Sequence, residues 1–290
     1  MAPTQSTTTA RPFVRLTQVR RRVLQASETL ERIEDEGLLA VLDRTLCSPS
    51  AFRALVDRMN ERMSAGHVLK DVHESRSTYV ARLSLEGRDI VAKRYNHKGL
   101  AHALGRTIQG SRARNSWCGS HILRHLGIGV PRPWAFLEIR RGPIVWSSYF
   151  LCEYVGAPSL YDMLERGQVE GEGLATVAGN VHEMLTSLAR QRITHGDLKL
   201  QNILLGPEGA IIIDLDGIRF HRTVLTYRLS RKKDRATFRR HIRRYPQFEA
   251  MCDALERQAR PASAAVRCSD EAGRREAPGE TTPGGCPRSL

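Results

Sequence analysis

The sequence predicts an α+β protein of two lobes, a small antiparallel sheet lobe followed by a mostly helical lobe, with a helical extension in front. Three observations carry that expectation. Between about 68 and 156, apolar residues fall into short strand-length runs separated by turn residues. From 157 onward the spacing turns helical, broken by one pair of short strands. The 290 residues, 41% of them hydrophobic, are enough for one large or two small domains with a real core.

The elements follow in order. Residues 1–12 are rich in Thr, Ser and Gln and read as a disordered tail. Val14, Val19, Val23 and Leu24, then Leu38, Leu39 and Leu42, recur at helical spacing, so 13–66 is expected to hold two or three amphipathic helices, with "SPSAF" at 48–52 as a cap signal. "HVLKDV", "TYVARLSLEG" and "RDIVAKRYN" read as strands, the last two joined at Glu86-Gly87. "RNSWCGSHILRHLGIG" reads as a helix stopped by Gly127 and Pro131, and two further strands flank Arg141-Gly142-Pro143. After Gly156 come "SLYDMLERG" and "GLATVAGNVHEMLTSLARQR" as helices, "NILLG" and "AIIIDLDG" as short strands, and a basic helical stretch. From 259 the chain is aperiodic Ala, Arg, Gly, Pro and Glu and reads as disordered. The expected domains are a tail and helical extension (1–66), a sheet lobe (67–156), a helical lobe (157–255) and a second tail (256–290). The crease between two such lobes is a natural ligand site.

Bulk properties narrow the function. No stretch approaches the roughly 18 consecutive apolar residues of a membrane span. Residues 1–27 lack Asp and Glu but carry Arg11, Arg15, Arg20, Arg21 and Arg22; this resembles a transit peptide in composition, without the apolar core of a secretory signal. Six cysteines show no CxxC and no regular spacing, which excludes a disulfide framework or a zinc site and fits a reducing cytoplasm. A net charge of +14 favours an anionic partner: nucleic acid, an acidic membrane surface, or a phosphorylated or carboxylated substrate. Much of that charge is arginine, which coding bias can also supply.

The chemistry concentrates in "RITHGDLKLQNILL" (192–205), where Asp197 and Lys199 stand beside an apolar strand, a position that costs desolvation energy unless each finds a partner. A tight turn at 206–209 should bring Asp197, Asn202 and Asp214 to one end of a hairpin, giving two carboxylates and an amide oxygen suited to Mg²⁺. Lys199 points a cation at the same place, and Lys93 in "IVAKRY" lies on a strand of the other lobe.

In combination these residues resemble the protein-kinase-like superfamily: a strand lysine in "IVAK", a catalytic loop "HGDLKLQN" and a metal motif "DLD" at 214–216. "FLCEYVG" (150–156) is similar to the superfamily's hinge. "THGDLKLQNILL" and "IIDLDGIRF", with "SRARNSW" and "LGIGVPRPWAFLE", resemble the bacterial lipopolysaccharide kinase family, whose members phosphorylate heptose or Kdo sugars of the lipid A core. The resemblance covers about 70–250.

It implies a two-lobed kinase fold and an ATP- and Mg²⁺-dependent phosphotransferase acting at the cytoplasmic face, peripherally at the inner membrane if its partner is an anionic glycolipid. Asp197 would accept or orient the sugar hydroxyl proton and Lys199 would neutralise the transferred phosphoryl group. Asn202 and Asp214 would hold Mg²⁺, and Lys93 would grip the α and β phosphates. Glu153 and Val155 would offer backbone groups to adenine, and Ser75 and Ser77 in "HESRST" would contact phosphate. His195 would brace the loop.

The chain departs from the pattern twice. No Asp or Glu lies between Asp89 and Glu138, so the usual helix glutamate for Lys93 is missing and Asp214 or the nucleotide must serve. The loop 73–78 has no glycine. No Ala-Pro-Glu follows Asp216, and the basic "GIRFHRTVLTYRLSRKKDRATFRRHIRRY" that does follow favours an anionic saccharide or leaflet over a protein substrate. Two other readings compete with the sugar kinase. One is a catalytically impaired kinase-like scaffold, separated by ATP turnover. The other is a nucleic-acid-linked atypical kinase, which rests on charge and "HGDL" alone and is disfavoured; it would show steep salt-sensitive RNA binding.

Overall fold

A computed structural model describes residues 12–64, 78–96, 110–142 and 144–259. It begins with α1 (Pro12–Arg22), followed by the antiparallel hairpin β1 (Leu30–Asp35) and β2 (Leu38–Asp43). This corrects the helical expectation for Leu38, Leu39 and Leu42, which lie on a strand. The reason is burial on both faces. Ala40 and Leu42 enter the core on one side of the sheet and Val41 on the other, so the run is continuously apolar and loses the alternation that marks a strand. The turn signal is Gly37, at φ 76°.

Helix α2 (Pro49–Ser64) starts where "SPSAF" predicts, with Ser48 Oγ accepting the Ala51 N–H at 3.2 Å. Strands β3 (Thr78–Leu85) and β4 (Arg88–Asn96) form the expected hairpin through Glu86-Gly87. Helix α3 (Arg112–His125) is capped by Ser111, whose Oγ accepts the Arg114 N–H, and ends before Gly127 at φ 73°. Strands β5 (Pro133–Arg141) and β6 (Ile144–Glu153) complete a six-stranded sheet of order β1-β2-β5-β6-β4-β3, antiparallel throughout. The expected domain boundary at 66/67 falls between α2 and β3, while β1 and β2 are hydrogen-bonded into this same sheet.

Two apolar layers cover the sheet. Phe52 and Leu55 of α2 pack on one face with Leu42, Ile90 and Leu151. Trp117 of α3 packs on the other with Val23, Val41 and Phe136, and its Nε1–H donates to the Val23 carbonyl at 2.6 Å. The segment after α1 is thereby pinned to α3.

The helical lobe contains α4 (Leu160–Glu165), α5 (Gly171–Arg190), β7 (Ile193–Thr194), the hairpin β8 (Ile203–Gly206) and β9 (Gly209–Ile212), β10 (Arg219–Phe220) paired with β7, α6 (Val224–Ile242) and α7 (Pro246–Gln258). Leu174, Val177, Ala178, Val181, Met184 and Leu188 make one buried stripe of α5 at helical spacing, packed on Leu200, Ile203, Phe238 and Phe248. The lobes meet closely at Gly129, whose carbonyl accepts the Ile212 N–H at 2.8 Å; a Cβ there would meet the Ala210 oxygen at 2.6 Å. The expected strand "HVLKDV", residues 73–77 of the phosphate loop and the tail from 260 lie outside the described residues.

Candidate active site

The loop after β7 is built on a buried acid. Asp234 of α6, 6% exposed, accepts the backbone N–H groups of His195 (2.6 Å) and Gly196 (2.9 Å). Gly196 has φ 92°, and a Cβ on it would meet the Gly217 carbonyl oxygen at 2.7 Å, so no other residue fits between the two loops. His195 is itself 2% exposed. Its Nε2–H donates to the Ile213 carbonyl at 2.8 Å, since a carbonyl only accepts, which leaves Nδ1 facing the Asp197 N–H at 3.3 Å. The imidazole links the end of β9 to the loop.

Leu198 and Leu200 are buried, so the alternating neighbours Asp197 and Lys199 turn outward. Their side chains pair at 2.7 Å, each about half exposed. Asn202 donates its Nδ2–H to the Asp197 carbonyl at 2.9 Å, leaving its amide oxygen as an acceptor. Its own carbonyl takes the Ile213 N–H at 2.9 Å, which sets the next residue, Asp214, beside it.

Asp214 stands in the left-handed region (φ 65°, ψ 56°), a conformation costly for a non-glycine and concentrated at functional positions. Its Oδ1 accepts from Lys93 Nζ at 2.8 Å, closing an ion pair from β4 of the sheet lobe to the hairpin of the other. Burial pushes the Asp214 carboxyl up, and the Lys93 ammonium more than reverses this, so its pKa lies below the ordinary value. The partner question for Lys93 is answered by Asp214, with no carboxylate from α3.

Helix α3 contributes the opposite charge. Arg112 pairs with Asp216 through Nε (2.5 Å) and Nη2, donates Nη1–H to Thr78 Oγ1 at 3.0 Å, and stacks its guanidinium 4.6 Å from the centre of the buried Tyr95 ring. Burial and the neighbouring Asp214 charge raise the Asp216 pKa, with Arg112 opposing them. Both aspartates of "DLD" are thus tied to cations of the sheet lobe. Spacing alone assigns no role to Arg112 or Asp234: the first pair spans 104 residues and the second 39. The nearest sequence signal is that Asp234 is the lone acid in a run of basic residues.

Glu153 ends β6, its N–H taken by the Arg132 carbonyl, and Val155 lies just beyond the strand. Ser75 and Ser77 lie outside the described residues. A cleft of about 990 Å³ between α1, α3 and the first turns of α6 is lined by Arg20, Arg112, Arg219 and Arg222 against a single acid, Asp216.

As a donor set, the Asp214 carboxylate and the Asn202 amide oxygen are hard oxygens, and the Lys93 ammonium already sits against the first. Two protein oxygens fit Mg²⁺, which keeps waters and phosphate oxygens for its other positions. Among the described residues no cluster of three or more His, Cys, Asp or Glu could hold a metal.

The sequence model of the lipopolysaccharide kinase (Kdo/WaaP) family matches residues 65–253, more than half of the chain. No curated protein matches. Among solved structures, one described as WaaP in complex with acyl carrier protein is similar at 18% identity, over 81% of this chain and 93% of that one, with a TM-score of 0.48.

Proposed function

Since the chain belongs to the lipopolysaccharide kinase (Kdo/WaaP) family, we propose that it transfers the γ-phosphoryl group of ATP, with Mg²⁺, to a hydroxyl of a heptose or Kdo sugar in the lipopolysaccharide core. The observation that carries this reading is the Lys93–Asp214 ion pair, which ties the sheet lobe to the β8–β9 hairpin, with Asn202 at the start of that hairpin holding the Asp197 backbone. In the transfer, the sugar oxygen bonds to the γ phosphorus, the bond to the bridging β–γ oxygen breaks, ADP leaves, and the hydroxyl proton goes to the Asp197 carboxylate.

Catalysis of this kind is mostly positioning and charge neutralisation. Lys199, paired with Asp197, would neutralise the phosphoryl oxygens as the acid takes its proton. Asp214 and Asn202 would hold Mg²⁺, which when bound neutralises the β and γ phosphates. Lys93 would exchange Asp214 for the α and β phosphates. Glu153 and Val155 are assigned to adenine through backbone groups, and Ser75 and Ser77 to phosphate. The lobes are taken as 67–156, its sheet extended by β1 and β2, and 157–255, with the cleft between them as the nucleotide site. An acceptor carried on an anionic glycolipid places the enzyme at the inner face of the cytoplasmic membrane. No helix among the described residues is long and apolar enough to cross that membrane.

The test is mass spectrometry of core oligosaccharide incubated with the protein, ATP and Mg²⁺. One added phosphate per acceptor is expected. Asp197→Asn should lose transfer by roughly 10²–10⁴-fold while still binding nucleotide, and Asp214→Ala should lose the Mg²⁺-dependent thermal shift with ATP. Unaltered turnover in Asp197→Asn would remove that residue from the mechanism; absence of ATP turnover in the wild type would leave the scaffold reading.

A further inference from the structure

Among the described residues, the large hydrophobic side chains left exposed all lie on one helix. Val224, Leu225 and Leu229 are 43%, 68% and 67% exposed and occupy the first turns of α6. Single exposed leucines are ordinary on protein surfaces, whereas Leu225 and Leu229 stand one helical turn apart on the same face, with Val224 turned away from them. Helical spacing puts Leu225, Leu229, Lys232 and Ala236 along one line, opposite the buried line of Tyr227, Asp234 and Phe238. Arg228 flanks the outer line on one side, Lys233 and Arg240 on the other, and all three are exposed.

The charges on this face are uncommitted in a way their neighbours are not. Arg235 and Arg239 pair with Glu256 and Asp253 of α7. Among the described residues no ion pair engages Arg228, Lys232 or Lys233. The only acid of α6 is Asp234, buried and bonded to the loop at His195 and Gly196. The outer face therefore presents two leucines one turn apart within a field of cations and no negative charge.

We propose that this face seats α6 on an anionic lipid bilayer, the leucines entering the acyl boundary and the lysines and arginines meeting acidic headgroups. Long basic side chains lie along apolar surface while their charges reach outward, which suits that boundary. A second copy of this chain is a poor occupant, because a two-fold contact would bring two like-charged patches together. Leu225 stands clear of the cleft between α1, α3 and α6 and Leu229 borders it, and two leucines offer too little apolar area for a standard protein interface. The inner face of the same helix holds the candidate catalytic loop through Asp234, so docking would set that loop on the side of α6 away from the bilayer, one helix removed from it. This last step rests on the kinase reading; the membrane contact does not.

The experiment is flotation of the full chain with phosphatidylethanolamine vesicles with and without phosphatidylglycerol. Binding only to the anionic vesicles, falling steeply with salt, is expected. Leu225→Ser and, separately, Lys232→Glu/Lys233→Glu should each reduce the bound fraction about tenfold, with melting temperature and nucleotide binding unchanged, since none of these side chains lines the cleft that holds Arg112 and Asp216. Wild-type protein that fails to float, or a leucine variant that floats like wild type, would overturn the proposal. So would a wild-type dimer that the leucine variant splits, or flotation that needs an added acidic protein. Transfer to delipidated core oligosaccharide should be equal in wild type and the leucine variant, and transfer to vesicle-borne glycolipid lower in the variant. If neither acceptor is phosphorylated, the kinase reading fails while flotation still reports on this face.

Discussion

Arg112 and Asp216 invert the polarity expected between helix and loop. A strand lysine paired with a helix glutamate would place the negative charge on α3; here α3 carries the positive charge and the loop of Asp214 and Asp216 carries the negative one. The pair is mostly buried, so removing either partner strands a charge. Arg112→Ala and Asp216→Asn should each destabilise the protein, and the double variant should cost less than their sum, with a coupling of about 1–3 kcal/mol in denaturant unfolding. Additive effects would mean that the two residues do not cooperate. A second residue on α3 senses pH. His121 stacks edge-on against Trp117, its Nε2 is buried without a hydrogen-bond partner, and burial pushes its pKa down to about 4, with Asp43 pulling it back up. Above about pH 6.5 the imidazole is neutral in both folded and unfolded chains and stability is complete. Below that pH the unfolded chain binds a proton that the folded one refuses, so stability falls as pH drops from 6.5 toward 4, by about 2–3 kcal/mol. His121→Phe should flatten the pH dependence of melting in that window. The candidate site was legible in the sequence wherever its residues are close along the chain: His195, Asp197, Lys199 and Asn202 are read from one octapeptide. Arg112 was not, because nothing local distinguishes it from the other arginines of an acid-free span.

At the scale of elements, α6 has two tasks on two faces. Its inner face supports the candidate catalytic loop through Asp234, with two charge-assisted bonds to backbone N–H groups. Asp234→Asn replaces one acceptor oxygen by a donor that faces a donor. The expected cost is about 2–3 kcal/mol of stability, together with a larger loss in phosphoryl transfer than in nucleotide affinity. Equal losses in both would show that Asp234 serves the fold alone. Sequence reading missed the β1–β2 hairpin and the two-residue strands β7 and β10, and β2 shows why. A central strand is buried on both faces, so Leu38 to Leu42 carries no alternation, and helix and strand then look alike over five residues. The hairpins at Glu86-Gly87 and at 206–209 were legible for the opposite reason: their turns are marked and their strands are half exposed.

Across the whole molecule, strand order governs more than shape. Strand β2 lies inside the sheet, yet its partner β5 follows it by about a hundred residues, and β4 pairs with β6 some sixty residues later. The Trp117–Val23 bond spans 94 residues and closes the same long loop from the other face. Contacts this distant must repay a large loop-closure entropy before they stabilise anything. During synthesis, β1, β2 and α2 therefore leave the ribosome with no sheet to join. Their apolar surface waits until β6 has followed them out, and only then can the sheet assemble in one step. Ribosome-tethered chains ending near residue 130 should be digested rapidly by protease. Chains with Glu153 well clear of the exit tunnel should become resistant abruptly, without an intermediate plateau. For roughly half its translation the protein is thus a hydrophobic client of whatever shields nascent chains, and its yield in a cell should follow the supply of that shielding more than the stability of the finished fold.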